Sequence, residues 1–183
     1  MANVLNQAQL VTGEVRLSFV NVFEPKAMAE GQEPKYSVTC IVPKTDEKTI
    51  KRMNEVLEYV KQQAKDKKFG GKIPPVLASA WKDGDTATDR DGELYNLKYP
   101  EYKGCYFIRC STKQKPKVFD ANRDLILDPS VLYSGCYGRA SMTLFAYNNN
   151  GNKGISASLN NVMMTREGEP LTPMLTGSEF DEE

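Results

Sequence analysis

Apolar and polar residues alternate through residues 13–22, where Val15, Leu17 and Phe19 interleave with Glu14, Arg16 and Ser18. A period of two is the pattern of a half-buried strand, with those three side chains directed to the core. Pro25, Gly31 and Pro34 interrupt it, and it resumes at 36–42, where Tyr36, Val38, Cys40 and Val42 share a face and Pro43 closes the run. Two antiparallel strands joined by a long connection are expected. From Thr45 and Asp46, both good N-caps, the period lengthens: Ile50, Met53, Leu57, Val60 and Ala64 recur at three- and four-residue spacing. This predicts one main helix over about 46–66. Lys65, Lys67 and Lys68 complement the C-terminal end of its dipole, and Gly70-Gly71 stops it.

Residues 66–103 read as irregular, broken at Pro74-Pro75 and acidic through 81–93. Strand patterning returns at 105, with Cys105, Phe107, Arg109, Ser111 and Lys113 on one face and Tyr106, Ile108 and Cys110 on the other. Lys115 and Lys117 flank Pro116 just beyond. The clearest strand covers 136–147. Cys136, Gly138, Ala140, Met142, Leu144 and Ala146 form its small apolar face, and Tyr137, Arg139, Ser141, Thr143, Phe145 and Tyr147 form the opposite one. The turn at 148–154 leads to a last strand carrying Ile155, Ala157 and Leu159. Several strands, one helix and many turns give a mostly antiparallel β class, of which a small barrel is one form.

Composition narrows the chemistry. At 183 residues, 40% of them hydrophobic, the chain has the size and apolar content of a single domain. It contains no histidine, which removes the commonest general base, the Ser-His and Cys-His nucleophile pairs and imidazole metal sites. Cys40, Cys105, Cys110 and Cys136 include no C-x-x-C pair and read as buried free thiols. Neither a signal peptide nor a run of ~20 apolar residues is present. A cytoplasmic protein with no membrane contact and no cofactor is expected.

The 24 basic and 24 acidic residues cancel, but they are not evenly placed. Residues 169–183 hold five acids and no base, so residues 1–168 carry 24 bases against 19 acids, a net charge of +5. A basic domain over 1–168 and a disordered acidic tail over 169–183 are expected. The tail's one aromatic, Phe180, stands beside Asp181, Glu182 and Glu183. It reads as an anion competing for a basic groove, as an anchor for a partner protein, or as a solubilising segment.

If Gly138, Ala140, Met142 and Leu144 face the core, Tyr137, Arg139, Phe145 and Tyr147 face away from it. Outward aromatics interleaved with cations suit unpaired bases, which stack on flat rings while Lys and Arg hold phosphates. Phe107, Arg109 and Lys113, with Lys115 and Lys117 beyond, extend the surface on a neighbouring strand, and Trp81-Lys82 repeats the signal weakly. The competing reading buries these rings under the helix or the long loop. Asp83, Asp85, Asp89, Asp91 and Glu93 suggest a cation site, but they match no register of the EF-hand loop.

Taken together, TGEVRLSFVNVFEPK, YSVTCIVPKTD, GGKIP, YFIRCSTKQKPKVFD and DPSVLYSGCYGRASMTLFAYNNNGNKGISASLNNV resemble the single-stranded DNA-binding proteins of tailed bacteriophages, over about Thr12 to Val162. The resemblance implies an OB-fold-like barrel that coats single-stranded DNA in phage replication or recombination, with duplex DNA bound more weakly. It also implies an acidic, aromatic-bearing tail that recruits replication proteins and competes with DNA, matched here by Phe180, Asp181, Glu182 and Glu183. The helix follows the second strand rather than the third, so either residues 72–82 hide a strand or the barrel is decorated. Two other classes remain: a metal-dependent nuclease using the 83–93 acids, and a protein-binding adaptor or virion component.

Overall fold

A computed structural model of the chain describes residues 6–27 and 29–171. The strands are β1 (Gln9–Val11), β2 (Val15–Lys26), β3 (Lys35–Pro43), β4 (Trp81–Asp83), β5 (Cys105–Thr112), β6 (Lys117–Phe119), β7 (Tyr137–Asn149) and β8 (Asn152–Arg166). Helix α1 covers Glu47–Lys67 and a single turn, α2, covers Tyr95–Lys98.

Five strands close on one another. β2 pairs with β3, β3 with β5, and β7 with both β8 and β2, all antiparallel. The seam between β5 and β8 is parallel and is bridged at Ser111 and Ser158. Strand order β2-β3-β5-β8-β7 with one parallel closure is the five-stranded, partly open barrel of the OB fold. Its interior is filled by Leu17, Val38, Cys40, Ile108, Cys110, Met142 and Leu144, each at most 2% exposed. These are the inward positions expected of β3, β5 and β7. Cys40, Cys110 and Cys136 are buried free thiols, whereas Cys105 is only half-buried.

Asp46 caps α1, its carboxylate accepting the Thr49 N–H at 3.2 Å. The helix packs Met53, Val56, Val60 and Ala64 onto the barrel core. Val56 takes the centre of the stripe, and the expected Ile50 and Leu57 flank it half-buried. Truncating Met53 to Ala would cost about 2–5 kcal/mol through the cavity it leaves. Gly70 and Gly71 end the helix in the left-handed region, at φ of 67° and 90°.

Two expectations are corrected. Phe19 does not face the core. The β2–β3 register runs Ser18 to Thr39 and then Asn21 to Ser37, so β2 carries one extra residue. That bulge sets Phe19 at φ 47° and turns its ring outward, 48% exposed, while Ser18 is buried in its place. Second, residues 72–104 are an organised arm. Ala78 joins the barrel through Ile155, whose N–H donates to its carbonyl at 2.8 Å. β4 then adds to β5 with Trp81 opposite Ile108 and Lys82 opposite Phe107. The short strand lies outside the barrel ring, so the helix falls between the second and third barrel strands and the topology is decorated.

Candidate nucleic-acid interface

The arm arches over the outward face of β3 and β5. Lys44, just past β3, holds it down: its ammonium lies 2.8 Å from both Asp83 and Asp85. The lysine pKa rises because those two carboxylates accept its protons, and both carboxylates are held below their ordinary value by it. Asp85 also accepts the Gly104 N–H at 2.9 Å, closing the arm's base. Asp89 accepts the N–H groups of Asp91 and Glu93 and shapes a turn. Three of the acids that suggested a cation site, Asp83, Asp85 and Asp89, are therefore structural anchors. Among the described residues, no group of three or more metal-ligating side chains comes together.

Clamping the arm assembles a chain of rings. Tyr102 is 2% exposed and stacks on Phe107 of β5, with centroids 4.7 Å apart and planes at 15°. Tyr95 meets Phe107 edge-on at 5.2 Å and stacks on Tyr99 at 6.2 Å. Phe19 meets Tyr99 edge-on at 5.5 Å. Burial pushes the Tyr102 phenol above its ordinary pKa, with Ser18 hydrogen-bonded to it, so the ring is a neutral floor for the cluster. Each such aromatic pair contributes ~0.5–1.5 kcal/mol beyond area burial.

Beside this cluster runs a groove of about 590 Å³. Its ring surfaces come from Phe19, Tyr95, Tyr99, Tyr102, Phe107, Trp81 and Tyr147, and its cations from Lys26, Lys82 and Arg109. Thr39 forms part of the floor. Desolvation lowers the Arg109 pKa somewhat from the ordinary guanidinium value. In OB barrels the faces of the second and third strands, with the first and last hairpin loops, hold oligonucleotides. Here those strands are β3 and β5, and the groove lies on them.

The candidate residues divide sharply. Phe107, Arg109, Tyr147, Trp81 and Lys82 line this groove. Phe145 is 44% exposed, and its cross-strand partner Ser156 lines the groove. Lys113 lines the adjoining cleft and pairs with Glu33 at 2.9 Å. Lys115 and Lys117 rim a separate apolar cleft with Phe23 and Leu127. Tyr137 and Arg139 lie elsewhere and are engaged: Arg166 covers the Tyr137 ring at 3.6 Å, and Arg139 Nε donates to the Thr12 carbonyl at 2.8 Å. Phe180, Asp181, Glu182 and Glu183 lie outside the described residues.

Pattern reading missed Phe19, Lys26, Tyr95, Tyr99 and Tyr102. The tyrosines carried a signal, since spacings of four and three put them on one side of a helical segment. Lys26 and Phe19 carried none, because the groove collects them from the bulge and the end of one irregular strand.

The fold is shared with solved phage proteins. The bacteriophage Enc34 single-stranded DNA-binding protein in complex with ssDNA superposes with a TM-score of 0.75 at 26% identity, over 91% of each chain. The gp2.5 single-stranded DNA-binding protein of bacteriophage T7 shares the fold, with a TM-score of 0.60 at 12% identity over 96% of this chain and 94% of that one. Protein p50 of Acyrthosiphon pisum secondary endosymbiont phage 1 is 31% identical over 172 residues, 92% of this chain and 90% of its own. The family model described as the Enterobacter phage Enc34 ssDNA-binding protein matches residues 8–183, and the chain belongs to that family.

Proposed function

We propose that the protein coats single-stranded DNA of a phage, without sequence preference, in the cytoplasm of the infected host. Its family is one of phage ssDNA-binding proteins, and the chain is a non-enzymatic binder. Unpaired bases stack on the rings of the arm, Phe19, Phe107 and Tyr147, while Lys26, Lys82 and Arg109 hold the backbone. Duplex DNA binds more weakly, because paired bases offer no free faces to the rings. The observation that carries this reading is the clustering of seven ring-bearing residues and three cations along one groove on the OB barrel's β3–β5 face. None of these contacts reads a base edge through a fixed donor–acceptor pattern, which suits sequence-independent binding.

The acidic segment closing the chain has two roles in this proposal. It competes with DNA for the basic groove, and through Phe180 and its neighbouring acids it recruits replication proteins. Support comes from its charge, with five acids in residues 169–183 against the net positive remainder. Residues 169–171 lie against the barrel: the Glu169 carbonyl accepts from Arg16 at 2.7 Å, and the Leu171 N–H donates to the Ser134 carbonyl at 2.9 Å. A chain ending at Leu171 keeps both contacts and removes the rest of the tail.

The test is fluorescence anisotropy of a labelled thymidine oligonucleotide at two salt concentrations, with the full chain and with the chain ending at Leu171. Binding should weaken with salt through counterion release and tighten on truncation. Absence of binding by either chain overturns the proposal. Weaker binding after truncation overturns the competing tail alone.

A further inference from the structure

The outward face of the β3–β5 pair changes character along its length. The register sets Ile41 opposite Phe107, Thr39 opposite Arg109 and Ser37 opposite Ser111. Period-two geometry continues that face to Lys35 and Lys113. Over the six residues from Phe107 to Lys113, ~20 Å at ~3.3 Å per residue, the face passes from aromatic through hydroxyl to cationic. Lys26 joins the cationic end as the β2 partner of Lys35.

A cleft of about 390 Å³ marks that end, and it shares Lys26 and Arg109 with the aromatic groove, so the two form one channel. Among the described residues, four cations line the cleft, Lys26, Lys35, Arg109 and Lys113, with one acid, Glu33. Glu33 Oε2 lies 2.9 Å from Lys113 Nζ, and both side chains are more than 60% exposed. A pair so exposed adds little to stability, so holding the fold together does not account for its position. Glu33 sits on the β2–β3 connection, two residues after Gly31 at φ 83°, with its carboxylate against the Lys113 ammonium. Lys113 foremost, then Lys35, hold that carboxyl below its ordinary pKa, so it is an anion at neutral pH.

We infer that Lys26, Lys35, Arg109 and Lys113 form a phosphate-binding extension of the DNA channel, and that Glu33 is a built-in counter-anion which the incoming phosphodiester displaces from Lys113. The inference rests on the aromatic groove being the DNA site and adds to it a path and a brake. By neutralising the outer cation until DNA arrives, Glu33 lowers affinity and speeds release of the strand.

Anisotropy with two thymidine oligonucleotides, one of about 4 nucleotides and one of about 16, tests the extension, because the shorter one fills only the aromatic part. Glu33→Gln should bind the longer oligonucleotide about 3- to 10-fold tighter at low salt, with the gain fading as salt screens the cleft. Lys35→Ala with Lys113→Ala should weaken the longer oligonucleotide alone and flatten its log K against log salt by about 1.4, at about 0.7 per lost phosphate contact. An unchanged or weakened Glu33→Gln, or an unchanged slope for the double lysine variant, overturns the extension while wild-type binding leaves the groove standing. Failure of the wild type to bind either oligonucleotide overturns both.

Discussion

Two walls of the same barrel carry outward aromatics and cations, and they use them differently. On the β7–β8 wall, Tyr137 is covered by Arg166, Arg166 is tied to Glu14 at 2.8 Å, and Arg139 is spent on the Thr12 carbonyl. On the β3–β5 wall, rings lean on other rings and leave an open groove between them and the cations. An outward Tyr-x-Arg pattern therefore specifies a surface, and the neighbours decide whether that surface is already occupied. The difference goes with the arm, which sets three tyrosines beside Phe107 and reaches β8 through Ala78, at the end far from Tyr137.

The largest effect that would separate the walls comes from removing rings on one and not the other. Tyr99→Ala together with Phe107→Ala should weaken ssDNA binding about 30-fold or more, because each stacked base contributes ~1–3 kcal/mol. Tyr137→Ala should leave affinity within a factor of two in the same anisotropy titration. Comparable losses on both walls would erase the distinction.

Phe19 sharpens the comparison from within the groove. Its ring is exposed and its backbone sits at φ 47°, a conformation that costs a bulky residue ~1–3 kcal/mol. Phe19→Gly should raise Tm by a few degrees while lowering ssDNA affinity about 5-fold or more, since glycine adopts that region freely and offers no ring. A fall in both would mean that the ring stabilises the fold and is not strained for the sake of binding.

The arm's clamp predicts a smaller and pH-dependent effect. Asp83 and Asp85 have folded pKa values depressed below 3.8 by Lys44. The stability they contribute is thus fully present above about pH 4 and is lost as pH falls through their lowered values. Lys44→Met should remove that acid-dependent step and expose residues 84–94 to limited proteolysis at neutral pH. ssDNA affinity should drop only a few-fold, as the ring cluster still holds the arm. Smallest of all, Lys115→Ala with Lys117→Ala should leave the salt dependence of binding unchanged within error, because their cleft lies apart from the channel. A slope reduced by ~1 or more would bring that cleft into the DNA path.

The core was largely legible in one dimension. Inward positions of β3, β5 and β7, the helix with its Asp46 cap, and the glycine stop all follow from periodicity and local backbone preference, which are properties of neighbouring residues. Phe19 shows the limit of that reading. One extra residue in β2 reverses the alternation, and the bulge is set by pairing with β3 and by the Ser134 hydroxyl that accepts the Val20 N–H at 3.2 Å.

The interface was legible only in part for the same reason. Alternation and composition mark Phe107, Arg109, Tyr147, Trp81 and Lys82 as outward or exposed, and the groove unites them with residues that no local pattern connects. The sequence by itself determined which faces are apolar, where the helix starts and stops, how charge divides between the body and residues 169–183, and that histidine chemistry is absent. Only the tertiary structure decided that Lys44 clamps an acidic arm over β5, and that rings from β2, the arm, β5 and β7 share one channel. Those contacts join residues as far apart as Phe19 and Tyr147, and their free energy comes from burial and ion pairing across the closed barrel, which no window along the chain contains.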